Sequence, residues 1–137
     1  MSKCNKIWCN ACPFVNEGKN IKINKQKNWN INKAVNCNSF NIIYLIECTI
    51  DSCKQRYVGE TKRHFRKRLA EHRGYVRNEH LDQATGAHFN LPGHSVANMK
   101  MTIIEQVKKD CDLYRKEREE YFIRKLDTYN KGMNKKY

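Results

Sequence analysis

The sequence has no long apolar run. Its longest, IIYLI at 42–46, has five residues, whereas a membrane-spanning helix needs roughly 18. The first residues, MSKCNKIW, also lack the apolar core of a secretory signal peptide. These absences predict an intracellular protein with no membrane partner.

Acidic residues are scarce as well. Only 14 Asp and Glu stand against 27 Lys and Arg, which gives a formal net charge of +13. Such an excess favours a polyanionic partner, with nucleic acid first and an anionic membrane surface second. A basic protein without such a partner is the plain alternative. Because the basic residues spread over the whole chain, we expect nucleic acid.

Apolar residues make up only 39% of the 137 positions, which is little for a domain that must bury a core. Disulfide bonds or bound metal ions would help to stabilise a chain of this kind. The seven cysteines could provide either. In a reducing compartment cysteines serve as metal ligands or free thiols more often than as disulfides.

Apolar periodicity predicts an α+β fold, a small three-stranded antiparallel sheet flanked by helices. We divide the chain into a Cys-rich, metal-binding N-terminal segment with linker at 1–40 and a main domain at 41–137. Residues 16–40 are predicted as loop or weak strand. The other predicted elements are strands at 41–48, 56–60 and 99–107, helices at 62–79 and 111–127, a loop at 85–95 preceded by one helical turn, and a terminal turn at 130–134.

Two polar residues of the first predicted helix face its apolar side. Phe65, Leu69 and Val76 share one stripe at 3.6 residues per turn. His72 falls within this stripe, and Arg68 lies on its edge, about 60° from Phe65. An arginine whose stem covers the core, together with a satisfied buried histidine, would account for both.

A carboxylate in the second predicted helix also faces apolar neighbours. Glu119 lies three, four and seven residues before Phe122, Ile123 and Leu126, which form the stripe of that helix. A carboxylate against a core is costly unless it is paired or binds a metal. Glu119 therefore forms an ion pair with Arg68, or it provides a cation site beside an arginine, as phosphate chemistry requires.

The first cysteines have the spacing of a metal site. Cys4 and Cys9 are followed by Cys12, and the last two form a CxxC pair, which is typical of zinc sites. Nearness in sequence favours Cys37 over Cys111 as the fourth ligand. Free thiols or a redox pair are the alternative.

Five motifs follow one another in the main domain: IIY at 42–44, YVG at 57–59, RLAEH at 68–72, EEYFI at 119–123 and GMN at 132–134. This ordered set resembles the GIY-YIG nuclease family, over about residues 41–134. Ile42 stands where the family has its nominal Gly. Since that glycine is not a chemical group, Tyr44 is the residue that matters.

The remaining cysteines narrow the resemblance to the endonuclease domain of Penelope-like retroelements. Cys48 and Cys53 lie between the two tyrosine motifs, and His88 and His94 follow in HFNLPGH. Tetrahedral zinc takes such sets of two sulfurs and two nitrogens. The metal would tie the first hairpin to the loop after the helix, whereas without it the histidines would be ordinary loop residues.

The resemblance implies a DNA endonuclease that hydrolyses phosphodiester bonds with one Mg²⁺ or Mn²⁺ ion on Glu119. Arg68 would bind a phosphate oxygen and His72 would assist proton transfer. One of Tyr44 and Tyr57 would position or deprotonate the attacking water. Asn134, the sixth implied catalytic residue, would brace the site or hold a phosphate.

The resemblance also implies a nick with a 3′-hydroxyl end that primes reverse transcription of a retroelement. This chain contains no reverse transcriptase, so that partner would belong to a longer polyprotein. The run KRHFRKR at 62–68 also fits a nuclear localisation signal, and we expect a nuclear protein. The basic residues expected to contact the DNA backbone are Lys62, Arg63, Arg66, Lys67, Arg73 and Arg77.

Two other functions stay open at this point. One is an inactive, zinc-stabilised nucleic-acid-binding module, and the other is a zinc-mediated protein-interaction domain. The complete set of catalytic motifs argues against the first, and the high positive charge argues against the second.

Overall fold

Strand IIYLIEC forms the centre of the fold in the computed structural model, which describes residues 1–31 and 34–134. This strand, β3 (Ile42–Cys48), has apolar side chains on both faces and is buried except at Glu47. It pairs antiparallel with β4 (Arg56–Thr61) on one side and with β5 (Met99–Gln106) on the other. The predicted three-stranded antiparallel sheet is therefore confirmed, with β4 at one edge.

One helix covers each face of this sheet. On the first face, α1 (Phe65–Arg77) buries the predicted stripe and His72 with it. On the second face, α3 (Asp112–Leu126) buries Phe122 and Leu126 against Val58 of β4 and against Ile43 and Leu45 of β3. The 3.6-residue periodicity of both helices therefore identified the faces that pack on the sheet.

The first forty residues pack on the same sheet, because Val15 bridges Met101 of β5 and Cys37 lies in the core under α1. The stretch predicted as loop or weak strand contains a hairpin of β1 (Asn20–Lys22) and β2 (Asn28–Asn30). Trp29 anchors the hairpin by packing on Phe122, with ring centroids 4.9 Å apart, and by donating a hydrogen bond to the Ile104 carbonyl at 2.8 Å.

The remaining secondary-structure elements of the described residues are short helical segments. The helical turn expected ahead of residue 85 instead occupies the predicted loop, as α2 (Ala84–His88). Burial of Thr85 and His88 beside α1 outweighs the poor helix propensity of the stretch. The remaining segments are α4 (Thr128–Lys131) and two 3₁₀ turns, Cys12–Phe14 and Val96–Asn98. Within the described residues, no helix is both long and apolar enough to span a bilayer.

Candidate active site and metal clusters

A buried tyrosine organises the candidate active site. Tyr44 of β3 has no exposed surface. Its hydroxyl oxygen accepts a hydrogen bond from Arg68 Nε at 2.8 Å and lies 2.7 Å from His72 Nε2. Strand register places Tyr44 opposite Gly59 of the YVG motif. A Cβ at Gly59 would lie 2.3 Å from the Tyr44 hydroxyl oxygen, so the motif glycine makes room for the ring.

The hydrogen-bond chain continues from Tyr44 through His72 to Thr85, whose hydroxyl lies 2.7 Å from His72 Nδ1. Burial, assisted by the nearby charge of Arg68, lowers the pKa of His72 to about 3, so the imidazole is neutral at neutral pH. The Tyr44 hydroxyl has two partners among the described residues, Arg68 and His72. Because an arginine can only donate hydrogen bonds, the acceptor for the Tyr44 proton is His72 Nε2. Tyr44 therefore donates to His72 Nε2, and His72 Nδ1–H donates to Thr85.

Tyr44 itself stays protonated. Burial and the neighbouring Tyr57 raise its pKa well above the ordinary value, although the guanidinium of Arg68 opposes this shift. Neither Tyr44 nor His72 is therefore a ready base in the free protein. Their shared effect is to hold the Arg68 guanidinium in one place.

A cavity of about 590 Å³ opens beside these hydrogen-bonded side chains, next to β4. Tyr57, Glu119 and Asn134 all line it. The ring of Tyr57 also packs against the buried chain, with its centroid 5.7 Å from that of His72 and 6.4 Å from that of Tyr44. The structure thus brings the six predicted catalytic residues into one region, with three on the cavity wall and three in the hydrogen-bonded chain.

Glu119 is partly buried in the wall of this cavity. Burial first, and then the carboxylate of Glu60, raise its pKa to about 7, while Lys116 and Arg68 oppose the shift. The ion pair with Arg68 that the sequence allowed is absent from the described residues. Arg68 pairs instead with Glu71, at 3.3 Å. Glu119 thus faces the cavity and forms no ion pair in the described part of the chain, because Lys116, which lines the same cavity, pairs with Glu60.

Asn134 braces the edge strand. Its side chain accepts a hydrogen bond from the Val58 amide and donates one to the Val58 carbonyl, both at 2.9 Å. The preceding Met133 amide donates to the Arg56 carbonyl at 2.8 Å. A Cβ at Gly132 would lie 2.3 Å from that same carbonyl oxygen, so the GMN motif closes tightly on β4.

The four predicted N-terminal cysteines form one cluster, and their sulfur atoms lie within 4.8 Å of one another. The Sγ–Sγ distances are 3.7 Å from Cys4 to Cys12 and 3.8 Å from Cys12 to Cys37. A tetrahedral zinc site with Zn–S bonds of about 2.3 Å has sulfur–sulfur edges of about 3.8 Å. The cluster could hold such an ion, while Cys111 is exposed and belongs to neither cluster.

Arg66 of α1 reaches this cluster. Its guanidinium donates to Cys4 Sγ at 3.3 Å and to Cys9 Sγ at 3.4 Å. Burial alone would raise the pKa of Cys9, but Arg66 and the Ala11 amide outweigh it and bring the pKa to about 6. The thiolate form that binds metals is thereby favoured. The contact also fastens the N-terminal segment to the helix that carries Arg68.

The second predicted cluster joins the β3–β4 turn to α2. Cys48, Cys53, His88 and His94 place their ligand atoms within 4.8 Å of one another, with Cys53 Sγ 3.4 Å from His88 Nε2. The Nδ1 atom of His94 donates to the Pro92 carbonyl at 3.1 Å. Its buried Nε2 has no hydrogen-bond partner in the described residues, and a metal ion would satisfy it. The structure thus confirms both predicted groups as possible metal sites.

The basic residues expected on DNA differ in their surroundings. Lys62, Lys67 and Arg77 are exposed, whereas Arg63 is ion-paired with Glu71. Arg66 is turned toward the cysteine cluster, as described above. The guanidinium carbon of Arg73 lies 4.8 Å from the centroid of the Phe14 ring. Arg66 and Arg73, two of the six basic residues, therefore contact the N-terminal segment.

Sequence reasoning missed two residues of the site and the structural role of a third. Thr85 had no pattern to mark it, because its role depends on a contact across 13 residues. Glu60 follows the YVG motif and is held by Arg115 at 2.6 Å, and only the fold places it beside Glu119. Arg66 was expected to contact DNA, and only the fold places its guanidinium on the cysteine cluster.

Comparison with known proteins adds no relative. No protein-family model, curated protein or solved structure matches this chain. The likeness to GIY-YIG nucleases therefore rests on the motifs of the sequence.

Proposed function

We propose that this protein is a metal-dependent endonuclease that hydrolyses phosphodiester bonds in DNA. One observation carries the proposal: Glu119 is a partly buried carboxylate that forms no ion pair among the described residues, in a cavity that it shares with Tyr57 and Asn134. Lys116 also lines this cavity, but it pairs with Glu60. A carboxyl group whose pKa is raised inside a cleft is typical of functional sites. Arg68 lies close enough to affect that pKa.

The donor chemistry of Glu119 fits Mg²⁺ or Mn²⁺, since these ions prefer oxygen ligands. The bare carboxylate is disfavoured by burial and by Glu60, and a cation would offset both. When bound, such an ion supplies polarisation of the scissile phosphate and stabilisation of the leaving oxygen.

Arg68 would bind a non-bridging phosphate oxygen. Its Nε is held by the Tyr44 hydroxyl and its Nη1 by Glu71, so the guanidinium is oriented before substrate arrives. A preorganised donor of this kind stabilises charge that grows in the transition state. His72 and Thr85 contribute by fixing Tyr44 in its neutral, donating form.

Tyr57 is the tyrosine suited to position the attacking water. It lines the cavity with Glu119, whereas Tyr44 is fully buried and its hydroxyl is already engaged by two partners. With a pKa of about 3, His72 is a weak base in the free protein. We therefore assign His72 to the orientation of Tyr44 and Arg68 rather than to removal of the water proton.

A single Glu119 site would cut one strand at a time, leaving a nick. By its resemblance to Penelope-like elements, the protein would leave a 3′-hydroxyl that primes reverse transcription by a partner domain, acting on DNA in the nucleus. Both cysteine clusters would hold structural zinc, tying the N-terminal segment and the β3–β4 turn to the helices around the site.

Plasmid nicking tests this function. Zinc-loaded protein is incubated with supercoiled DNA, with and without Mg²⁺ or Mn²⁺. We expect metal-dependent conversion to open circles that Glu119→Gln abolishes. Glu117→Gln is the matched control, because Glu117 is exposed on the same helix. Nicking that survives in Glu119→Gln would refute the assignment, and salt-sensitive binding without cleavage would support the inactive binding module.

A further inference from the structure

The four-cysteine cluster carries an exposed apolar tip. Between Cys4 and Cys9 the chain turns at Asn5, which has a φ of 58°, and the Cys9 amide donates to the Lys6 carbonyl at 3.0 Å. The next two residues project outward, with Ile7 104% exposed and Trp8 64% exposed. Adjacent large apolar side chains held in solvent are typical of a binding surface.

The Trp8 ring is held in place although it is exposed. The guanidinium carbon of Arg66 lies 4.5 Å from the ring centroid. Arg66 in turn donates to Asn38 Oδ1 at 2.6 Å and to the sulfurs of the cysteine cluster. The ring is therefore oriented on a rigid support, with much of its surface free, which lowers the entropy lost when a partner stacks on it.

The charge around the tip indicates what this partner is. Lys6 lies in the turn and Arg66 lies beneath the ring, whereas Glu17, the first acidic residue of the chain, contacts the amide of Lys3 on the other side of Cys4. A positively charged surface that presents an aromatic face suits a polyanion with flat rings. Unpaired bases of a nucleic acid strand have these properties, whereas bases inside a duplex are already stacked on their neighbours.

We propose that Trp8, with Ile7 beside it, is a stacking platform for unpaired bases of a nucleic acid strand. This site goes beyond hydrolysis at Glu119 and shares with the proposed function only the premise that the partner is nucleic acid. It assigns the N-terminal cluster a role in substrate binding, in addition to its structural role.

Tryptophan fluorescence tests the platform directly. The chain has two tryptophans, and the second, Trp29, is packed on Phe122 in the hairpin. Zinc-loaded protein without Mg²⁺ is titrated with a short oligothymidine and, separately, with a duplex of equal length. We expect the single strand to quench emission more than the duplex does, and Trp8→Phe to lose the quenching.

Affinity provides the second measurement. Trp8→Ala should weaken oligothymidine binding by about 5- to 150-fold, the loss expected for one stacked base. Leu113→Ala, which removes a side chain 69% exposed on α3, is the matched control and should bind as the wild type does. Equal quenching in Trp8→Phe, or unchanged affinity in Trp8→Ala, would overturn the platform.

Two further results separate this site from others. Self-association without nucleic acid that Trp8→Ala abolishes would assign the tip to a second copy of the chain and overturn the proposal. Glu119→Gln should keep the quenching while it loses nicking. A failure of nicking in the wild type, with quenching intact, would refute the proposed function and leave the platform standing.

Discussion

Replacing Gly59 with alanine should displace the tyrosine on which the candidate active site is built. Gly59 pairs directly with Tyr44 across the β3–β4 ladder. A Cβ at this position would lie 2.3 Å from the Tyr44 hydroxyl oxygen and 2.4 Å from Cζ. The ring cannot yield easily, because it is fully buried and its hydroxyl is bonded on two sides.

The expected cost follows from overpacking. Forcing one extra methyl group into a packed core costs about 1–3 kcal/mol, while the smaller entropy of the unfolded alanine chain returns about 0.4–1 kcal/mol. The added Cβ would overlap three atoms of the Tyr44 ring and hydroxyl, which puts the cost in the upper part of this range, at about 2–3 kcal/mol. After a return of about 1 kcal/mol, we expect Gly59→Ala to lower the free energy of unfolding by about 1–2 kcal/mol. Nicking should also fall while the protein is still folded, because a displaced Tyr44 no longer holds Arg68.

Gly74→Ala is the matched control for this substitution. A Cβ on Gly74, inside α1, meets no atom within 4 Å, and alanine is favoured over glycine in a helix by about 0.5–1 kcal/mol. The control should therefore gain stability where Gly59→Ala loses it. The two variants should differ by about 1.5–3 kcal/mol in the free energy of unfolding.

Urea unfolding of the zinc-loaded proteins, followed by circular dichroism, measures both effects. With a slope of about 1.5–2 kcal/mol per molar urea, the midpoint of Gly59→Ala should fall by roughly 0.5–1.3 M at an unchanged slope. A midpoint of Gly59→Ala equal to or above that of the wild type would refute the close packing of Tyr44 on β4.

Three other measurements test the metal clusters and the cavity. Metal analysis should find about two zinc ions per chain, and Cys12→Ser should hold about one and melt at a lower temperature; two zinc ions in this variant would contradict the four-cysteine cluster. In the zinc-loaded protein without Mg²⁺ or Mn²⁺, the folded chain keeps a proton on Glu119 up to a pKa of about 7, whereas the unfolded chain loses it near 4.5. Wild-type stability should therefore fall relative to Glu119→Gln as the pH rises from about 4.5 to about 7, and a constant difference between urea midpoints would disprove the raised pKa. Tyr57→Phe should slow single-turnover nicking by about 100-fold or more while Tyr121→Phe does not, and similar rates for both would exclude Tyr57 from water positioning.

Local sequence patterns were enough to predict the central sheet, the buried faces of the two long helices and the candidate metal-binding cysteines. Apolar residues on both faces of IIYLIEC indicated a central strand, and the structure places β3 between two neighbours. The stripe of α1 identified His72 as a buried polar residue, and the CxxC pair indicated a metal cluster. These features depend on residues that are close together in the sequence, so the periodicity of the sequence is enough to predict them. Residues 16–40 were predicted only as loop or weak strand, and the pairing of β1 with β2 was not predicted. These strands are short, rich in Asn and Lys, and stabilised by distant contacts of Trp29.

The chemistry of the candidate site was decided at longer range. The sequence by itself determined that Glu119 would face an apolar surface and that Arg68 would be near the core. Only the tertiary structure decided that Arg68 pairs with Glu71 and that Glu119 faces a cavity beside Glu60. The physical reason is that burial and charge at one atom depend on every element packed around it, and chain spacing does not specify those distances.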